Sequence, residues 1–333
     1  MSMPKYRQGN ATLPHEEKLN LLRTYWCDKI AVNTFCQTHQ ISKSTLYRWL
    51  KDHRLELMHI LLSDGFYLEG FELYSMIFGE AHIDKIDWHA AEGKTITICS
   101  PTGAGGGLGD VIQLTRFIRE LKRFHLRIIF KINKKNKPLK ELLEQTDYID
   151  VITDRNVSTD YHVSIANLPF LLRTTPKSIP TKQYLYAASP DIEKYRKTLA
   201  GDKKFKVGVK WTVGPNFNRT FRAISYEHVK QLMCDEVSLY SLEIENNGNL
   251  LSTAAKMTNL NLIISVDTSI LHLAGAMHLP VWGLIPYQSG WRFNLKNKRM
   301  PWYPTMELFR QTEDGIWDVV IETVRSELRK RYL

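Results

Sequence analysis

Hydrophobic positions along the chain change period twice. From His15 to about His53 they recur at helical spacing: Leu19, Leu22 and Trp26 in HEEKLNLLRTYW (15–26), a second short run in AVNTFCQTHQ (31–40), and Leu46, Trp49 and Leu50 in KSTLYRWLKDH (43–53). The pattern predicts three short helices, with Ser42 as the N-cap of the third. Beyond that, short β-rich runs alternate with helical ones. TITICS (95–100), RIIFKI (127–132) and YIDVIT (148–153) read as strands, with the amphipathic helix DVIQLTRFIRELKRF (110–124) after the first. A second series follows: strands FKVGVKW (205–211), VSLYSL (237–242), NLIISV (261–266) and PVWGLI (280–285), with helices around 228–233, at 250–257 and at 268–277. A last helix over about 315–330 is expected to pack back across both units. Strands alternating with helices imply parallel sheets covered on both faces. The predicted organisation is a helical module at 1–55, a Rossmann-like domain at 56–190 and a second at 191–333.

Composition narrows the setting. The chain has 333 residues, 43% of them apolar, which suffices for two cores. No run approaches the roughly 18 apolar residues of a membrane span, and MSMPKYRQGN lacks the apolar segment of a secretory signal. The four cysteines, Cys27, Cys36, Cys99 and Cys234, form no C-x-x-C pair. This suits a reducing, cytoplasmic setting without a zinc or disulfide framework. A net charge of +10 favours anionic partners, although for charge alone a basic solvated surface is the simpler reading.

Three segments carry candidate chemistry. In TGAGGGLGD (102–110) glycines lie between a strand and a helix start, where backbone approaches ligand closely at the carboxyl end of a parallel strand. No G-K-[ST] follows, so it is not a P-loop, and it fits G-x-G-x-x-G only loosely. Asp110 reads either as an N-cap or first-turn acid or as a general base. In ISVDTSILHLAGA (264–276) a strand runs into Asp267, Thr268 and Ser269 at a helix N-terminus, a geometry suited to a diphosphate, and His272 lies one turn on. The alternative is a capped helix with a core histidine. In KWTVGPNFNRTFRAI (210–224), Lys210, Arg219 and Arg222 can neutralise phosphate oxygens, or form a solvated loop.

The stretch 265–311, with Asp-Thr-Ser, the histidine four residues on, Leu-Ala-Gly-Ala, Pro-Val-Trp, Trp-Arg and Trp-Tyr-Pro-x-Met-x-Leu-Phe-Arg-Gln, resembles the C-terminal domain of bacterial glycosyltransferases often fused to tetratricopeptide repeats. These are relatives of the lipopolysaccharide heptosyltransferases. The resemblance extends through GLGDVIQLTRF (107–117) and the 211–222 loop, and begins near EGFELYSMIFG (69–79), covering about 56–330. It implies a GT-B fold, an α/β architecture of two Rossmann-like domains facing a cleft. It implies transfer from a nucleotide-diphosphate sugar, inverting and metal-independent, with no further cofactor; no D-x-D motif is present. Asp110 then matches the catalytic base beside Gly107 and Gly109. Arg222 matches the phosphate-binding residue, Asp267, Thr268, Ser269 and His272 match the donor-binding turn, and Glu243 matches a ribose- or base-contacting position. The sequence departs from the family in its enlarged GAGGG loop, in Lys210 where an apolar strand residue is usual, and in lacking a tetratricopeptide array.

AVNTFCQTHQISKSTLYRWLKDH (31–53) resembles the helix-turn-helix of transposase and phage-type DNA-binding proteins. Lys43, Ser44, Thr45, Tyr47, Arg48 and Lys51 suit phosphates and base edges, and residues 1–55 hold nine Lys/Arg against four acids. Three functions follow: a transferase acting on DNA, a transferase for protein or cell-surface glycan with the helices as adaptor, or a DNA-binding protein whose transferase part is degenerate.

Overall fold

The computed structural model describes residues 13–79, 86–101, 106–214, 219–243, 249–293 and 299–332. The helical module is α1 (His15–Cys27), α2 (Val32–Thr38) and α3 (Lys43–Ser63), followed by α4 (Tyr67–Phe78). Ser42 caps α3 as predicted, accepting from the Thr45 amide at 3.1 Å. The third helix does not stop at residue 53. Leu57, Met58, Leu61 and Leu62 continue its apolar face, and this second half packs on α4. The helix therefore crosses the boundary drawn at residue 55 and joins the module to the first domain.

The first sheet contains β1 (Thr95–Cys99), β2 (Arg127–Lys131), β3 (Val151–Thr153) and β4 (Tyr161–Ser164), all parallel in the order β3-β2-β1-β4. Helices α5 (Leu108–Glu120), α6 (Lys140–Leu143) and α7 (Leu168–Leu171) accompany it. After α8 (Ser189–Leu199) comes the second sheet: β5 (Phe205–Lys210), β6 (Val237–Ser241), β7 (Leu262–Val266), β8 (Val281–Ile285), β9 (Arg299–Met300) and β10 (Tyr303–Arg310). Its order is β6-β5-β7-β8-β10-β9, parallel except for β9. Interspersed are α9 (Arg219–Arg222), α10 (Tyr226–Lys230), α11 (Leu250–Thr258) and α12 (Ser269–Ala276), and α13 (Asp318–Tyr332) closes the chain. The periodicity did not single out β4, β9 or β10. β4 is four residues long, and β10 holds Pro304 and Thr305 exposed within it.

Every residue of β7 and β8 is buried, as strands covered on both faces require. One continuous core runs from Leu22, Phe35 and Leu46 of the module, through Ile96 and Phe117 around the first sheet, to Leu250, Ile270 and Leu273 of α11 and α12. The two halves thus meet through an apolar contact of α5 with α12. The opposite face of the second sheet is closed by α13 through Val320, Ile321, Val324 and Leu328 against Val207, Leu262 and Trp282. The last helix was expected to pack across both units; its buried residues belong to the second domain's core. No described helix is long and apolar enough to cross a membrane.

Candidate functional site

In the second sheet the chain leaves β5 toward β6 on one side and β7 on the other, so the carboxyl ends of β5 and β7 flank a switch point where α/β folds bind ligands. A cleft of about 520 Å³ lies there. Gly107, Gly109, Asp110, Lys210, Arg222, Asp267, Thr268, Ser269 and His272 all line it, together with Gln288, Arg292 and Phe293. Sequence positions from 107 to 293 are brought together because α5 and α12 present their N-termini to the same space.

Gly109 explains how close that approach is. A Cβ at this position would stand 2.8 Å from Cδ2 of His272, so only glycine lets the first turn of α5 rest on α12. Gly107, not Asp110, is the N-cap of α5, and it makes no side-chain cap; of the two local readings of Asp110, the first-turn acid holds and the N-cap does not. Its Oδ1 is ion-paired with Nη2 of Arg292, whose Nε donates to Oε1 of Gln113. The guanidinium also lies over the Trp291 ring, 4.7 Å from its centroid.

Arg222 donates through Nη2 to the carbonyl oxygen and to Oδ2 of Asp267, both at 2.6 Å. Thr268 is the N-cap of α12, extended and without a side-chain cap bond, and the amides that begin this helix have no intrahelical acceptor. The turn therefore gathers a guanidinium, a hydroxyl and a helix N-terminus within one wall.

His272 is buried, and its Nδ1 lies 3.0 Å from the Tyr303 hydroxyl. Tyr303 is accommodated because Gly275 has no side chain; a Cβ there would meet the ring at 2.4 Å. Behind Tyr303 stands Tyr184, 3.5 Å away, which accepts from Nη2 of the buried Arg116 at 3.1 Å. Burial, followed by the positive fields of Arg292, Arg116 and Arg222, holds the imidazole pKa well below its ordinary value, so the ring is neutral. The Tyr303 oxygen accepts from Tyr184, which leaves its own proton for Nδ1; in that arrangement the ring proton sits on Nε2 and His272 is a hydrogen-bond donor without charge.

Glu243 departs from expectation: it does not line the cleft. Its Oε1 accepts the amides of Trp211 and Thr212, each at 3.0 Å, and Oε2 meets Lys210 and the Thr212 hydroxyl. Burial pushes its pKa up, but the bonds from Lys210, Thr212 and the two amides prevail and hold it below the usual range. Glu243 is thus the brace of the loop after β5, and Lys210 is the member of the pair that reaches the cleft. The side chain of Arg219 lies outside the described residues, as does the 102–105 part of the glycine loop.

In the sequence, Arg292, Gln113 and Tyr303 stand only within matched stretches, with no role attached to any of them. The available signal was a charged residue at the centre of an aromatic-rich segment. A second cavity, of about 590 Å³, opens at the carboxyl ends of β1, β2 and β4, lined among others by Pro101, Lys131, Asn133, Asp154 and His162. Lys43, Tyr47, Arg48 and Lys51 are exposed on the first half of α3, while the hydroxyls of Ser44 and Thr45 bond to Ser42 at 2.8 and 2.9 Å.

No family model and no curated protein matches the chain. Among solved structures it is similar to a glycosyl transferase family 9 protein from Veillonella parvula, at 13% identity over 73% of this chain and 90% of that one, with a TM-score of 0.47. It is also similar to E. coli ADP-heptose LPS heptosyltransferase II, at 12% identity over 71% and 98%, with a TM-score of 0.48. A third is TibC, the iron-containing dodecameric glycosyltransferase from enterotoxigenic E. coli, at 14% identity over 69% and 66%, TM-score 0.48. At such identities and TM-scores these similarities say nothing of activity.

Proposed function

We propose that the chain is a GT-B glycosyltransferase that moves a sugar from a nucleotide-diphosphate donor to an acceptor hydroxyl, with inversion and without a catalytic metal. The observation that carries this reading is the meeting of Asp110 with Lys210, Arg222 and the start of α12 in one switch-point cleft. Asp110 takes the acceptor hydroxyl proton as that oxygen attacks the anomeric carbon from the face opposite the diphosphate. The bond from the anomeric carbon to the diphosphate oxygen breaks, and its electron pair stays on the leaving group. Arg222, the amides beginning α12 and the Nε2 proton of His272 stabilise that charge. Lys210 adds a further cation at the rim. These groups supply the neutralisation that a metal provides elsewhere.

The cavity at the carboxyl end of β1, lined by Ser100, Pro101 and Lys131, is the acceptor's place. DNA is the proposed acceptor, and the support is the exposed basic strip of Lys43, Tyr47, Arg48 and Lys51 on a helix continuous with the first domain. Incubation with a panel of nucleotide-diphosphate sugars, followed by DNA, protein and glycan acceptors, tests the reading through release of nucleoside diphosphate and mass gain on one acceptor. Asp110→Asn is expected to bind donor normally and to lose about 10²–10⁴-fold in kcat. Wild-type turnover in that variant removes Asp110 as the base. Labelling of protein or glycan but not DNA makes the helical module an adaptor.

A further inference from the structure

His15 opens α1, and His53 and Glu56 stand one turn apart in α3. Packing of α1 on α3 brings the three side chains together. Nε2 of His15 is 2.9 Å from Oε1 of Glu56, and Nδ1 of His53 is 4.0 Å from Oε2 of the same carboxylate. One ligand atom from each residue lies within 4.8 Å of the others, and the two imidazoles meet edge to face with centroids 5.0 Å apart. None of the three lines the transferase cleft.

Bonds of about 2.0–2.2 Å to a tetrahedral zinc ion place its ligand atoms roughly 3.3 Å apart. The observed separations bracket that spacing. His15 and Glu56 are solvent-exposed and free to rotate by the small amount needed, with side chains 56% and 45% accessible. His53 and Glu56 project from one rigid helix face, so two ligands are already placed before the ion arrives. An exposed His–Glu contact contributes little by itself, which leaves the cluster without a strong structural reason.

We propose that His15, His53 and Glu56 bind a borderline divalent transition-metal ion, Zn²⁺ foremost, with water in the remaining position. Two imidazoles and one carboxylate select against Mg²⁺ and Ca²⁺, which favour all-oxygen sets. The ion clips the first turn of α1 to the middle of α3, partners 41 residues apart, and stabilises the helical module by binding its folded form.

The test uses untagged full-length protein stripped with chelator and titrated with Co²⁺ while the visible absorption is followed. The expected result is one equivalent bound with a four-coordinate spectrum, displaced by Zn²⁺, and roughly tenfold or greater weakening in both His15→Ala and Glu56→Gln. Zn²⁺ also raises the thermal midpoint of the wild type and not of the variants. Absence of a Co²⁺ band, or a band of equal affinity in both variants, overturns the site. Both positions are exposed, and metal-free circular dichroism of each variant matching the wild type confirms that the comparison is made on folded protein.

Discussion

Arg292 pairs with Asp110 across the cleft, joining the segment after β8 to the first turn of α5, 182 residues earlier in the chain. The pairing leaves Oδ2 of Asp110 beside Gly107, on the side of the glycine loop. Nε of Arg292 is taken by Gln113, one turn further along the same helix, so the fork of the guanidinium grips α5 at two points. The proposed base is held in place by the opposite domain.

Arg292→Ala is therefore expected to act on both stability and turnover. Removing the guanidinium strands a largely buried carboxylate and the buried Gln113, at a cost of about 1–3 kcal/mol. Denaturant unfolding reads the first effect and kcat the second. Arg292→Lys, a single point charge without the planar fork, is expected to recover only part of either. Full recovery by lysine would show that charge alone holds Asp110.

Tyr303→Phe tests the neutral-donor role of His272. Without the hydroxyl at Nδ1, the ring is no longer restricted to the Nε2 protonated tautomer. The expected loss is about 5–30-fold in kcat, the worth of roughly 1–2 kcal/mol, with donor affinity less affected. Nitrogen chemical shifts of the His272 ring report the tautomer directly. A wild-type ring protonated at Nδ1 contradicts the assignment whatever the activity.

The depressed pKa of His272 carries a sign. The folded state binds fewer protons here than the unfolded chain, whose histidine titrates near the ordinary 6.5. Stability from this residue is present above that value and is lost as pH falls toward the folded pKa, by up to about 1.4 kcal/mol per pH unit. His59 and His39 are displaced the same way, chiefly by burial, and contribute a shared background. His272→Gln is expected to flatten the acid limb of a stability–pH curve below about 6.5 relative to wild type. Parallel curves would show that His272 is not held neutral.

Much of this arrangement was legible from residue order. Alternation of β-rich and helical runs marked most strands of both sheets, and Gly109-Asp110 and Asp267-Thr268-Ser269 fell where strands meet helices. What escaped has a common cause: it depends on partners remote in sequence. Arg292 gains its meaning from Asp110, Tyr303 from the space left by Gly275, and Glu243 from two amides on the neighbouring strand end. The third helix ran past its expected end because no glycine or proline interrupts residues 54–63, and its apolar face simply continues. β10 was hidden by a proline and a threonine that a strand one position from the sheet edge can present to solvent.

In the proposed reaction the wall formed by Arg222 and the Thr268–Ser269 turn holds the diphosphate of a nucleotide-sugar donor. Calorimetric titration of ADP, GDP, UDP and CMP-type ligands into wild type and into Arg222→Ala tests it without knowledge of the acceptor. One nucleoside diphosphate is expected to bind the wild type, with affinity falling about 10–150-fold in the variant, the equivalent of roughly 1.5–3 kcal/mol for a charge-assisted contact. Binding of equal strength in Arg222→Ala, or no binding of any nucleoside diphosphate to folded wild-type protein, would contradict the account.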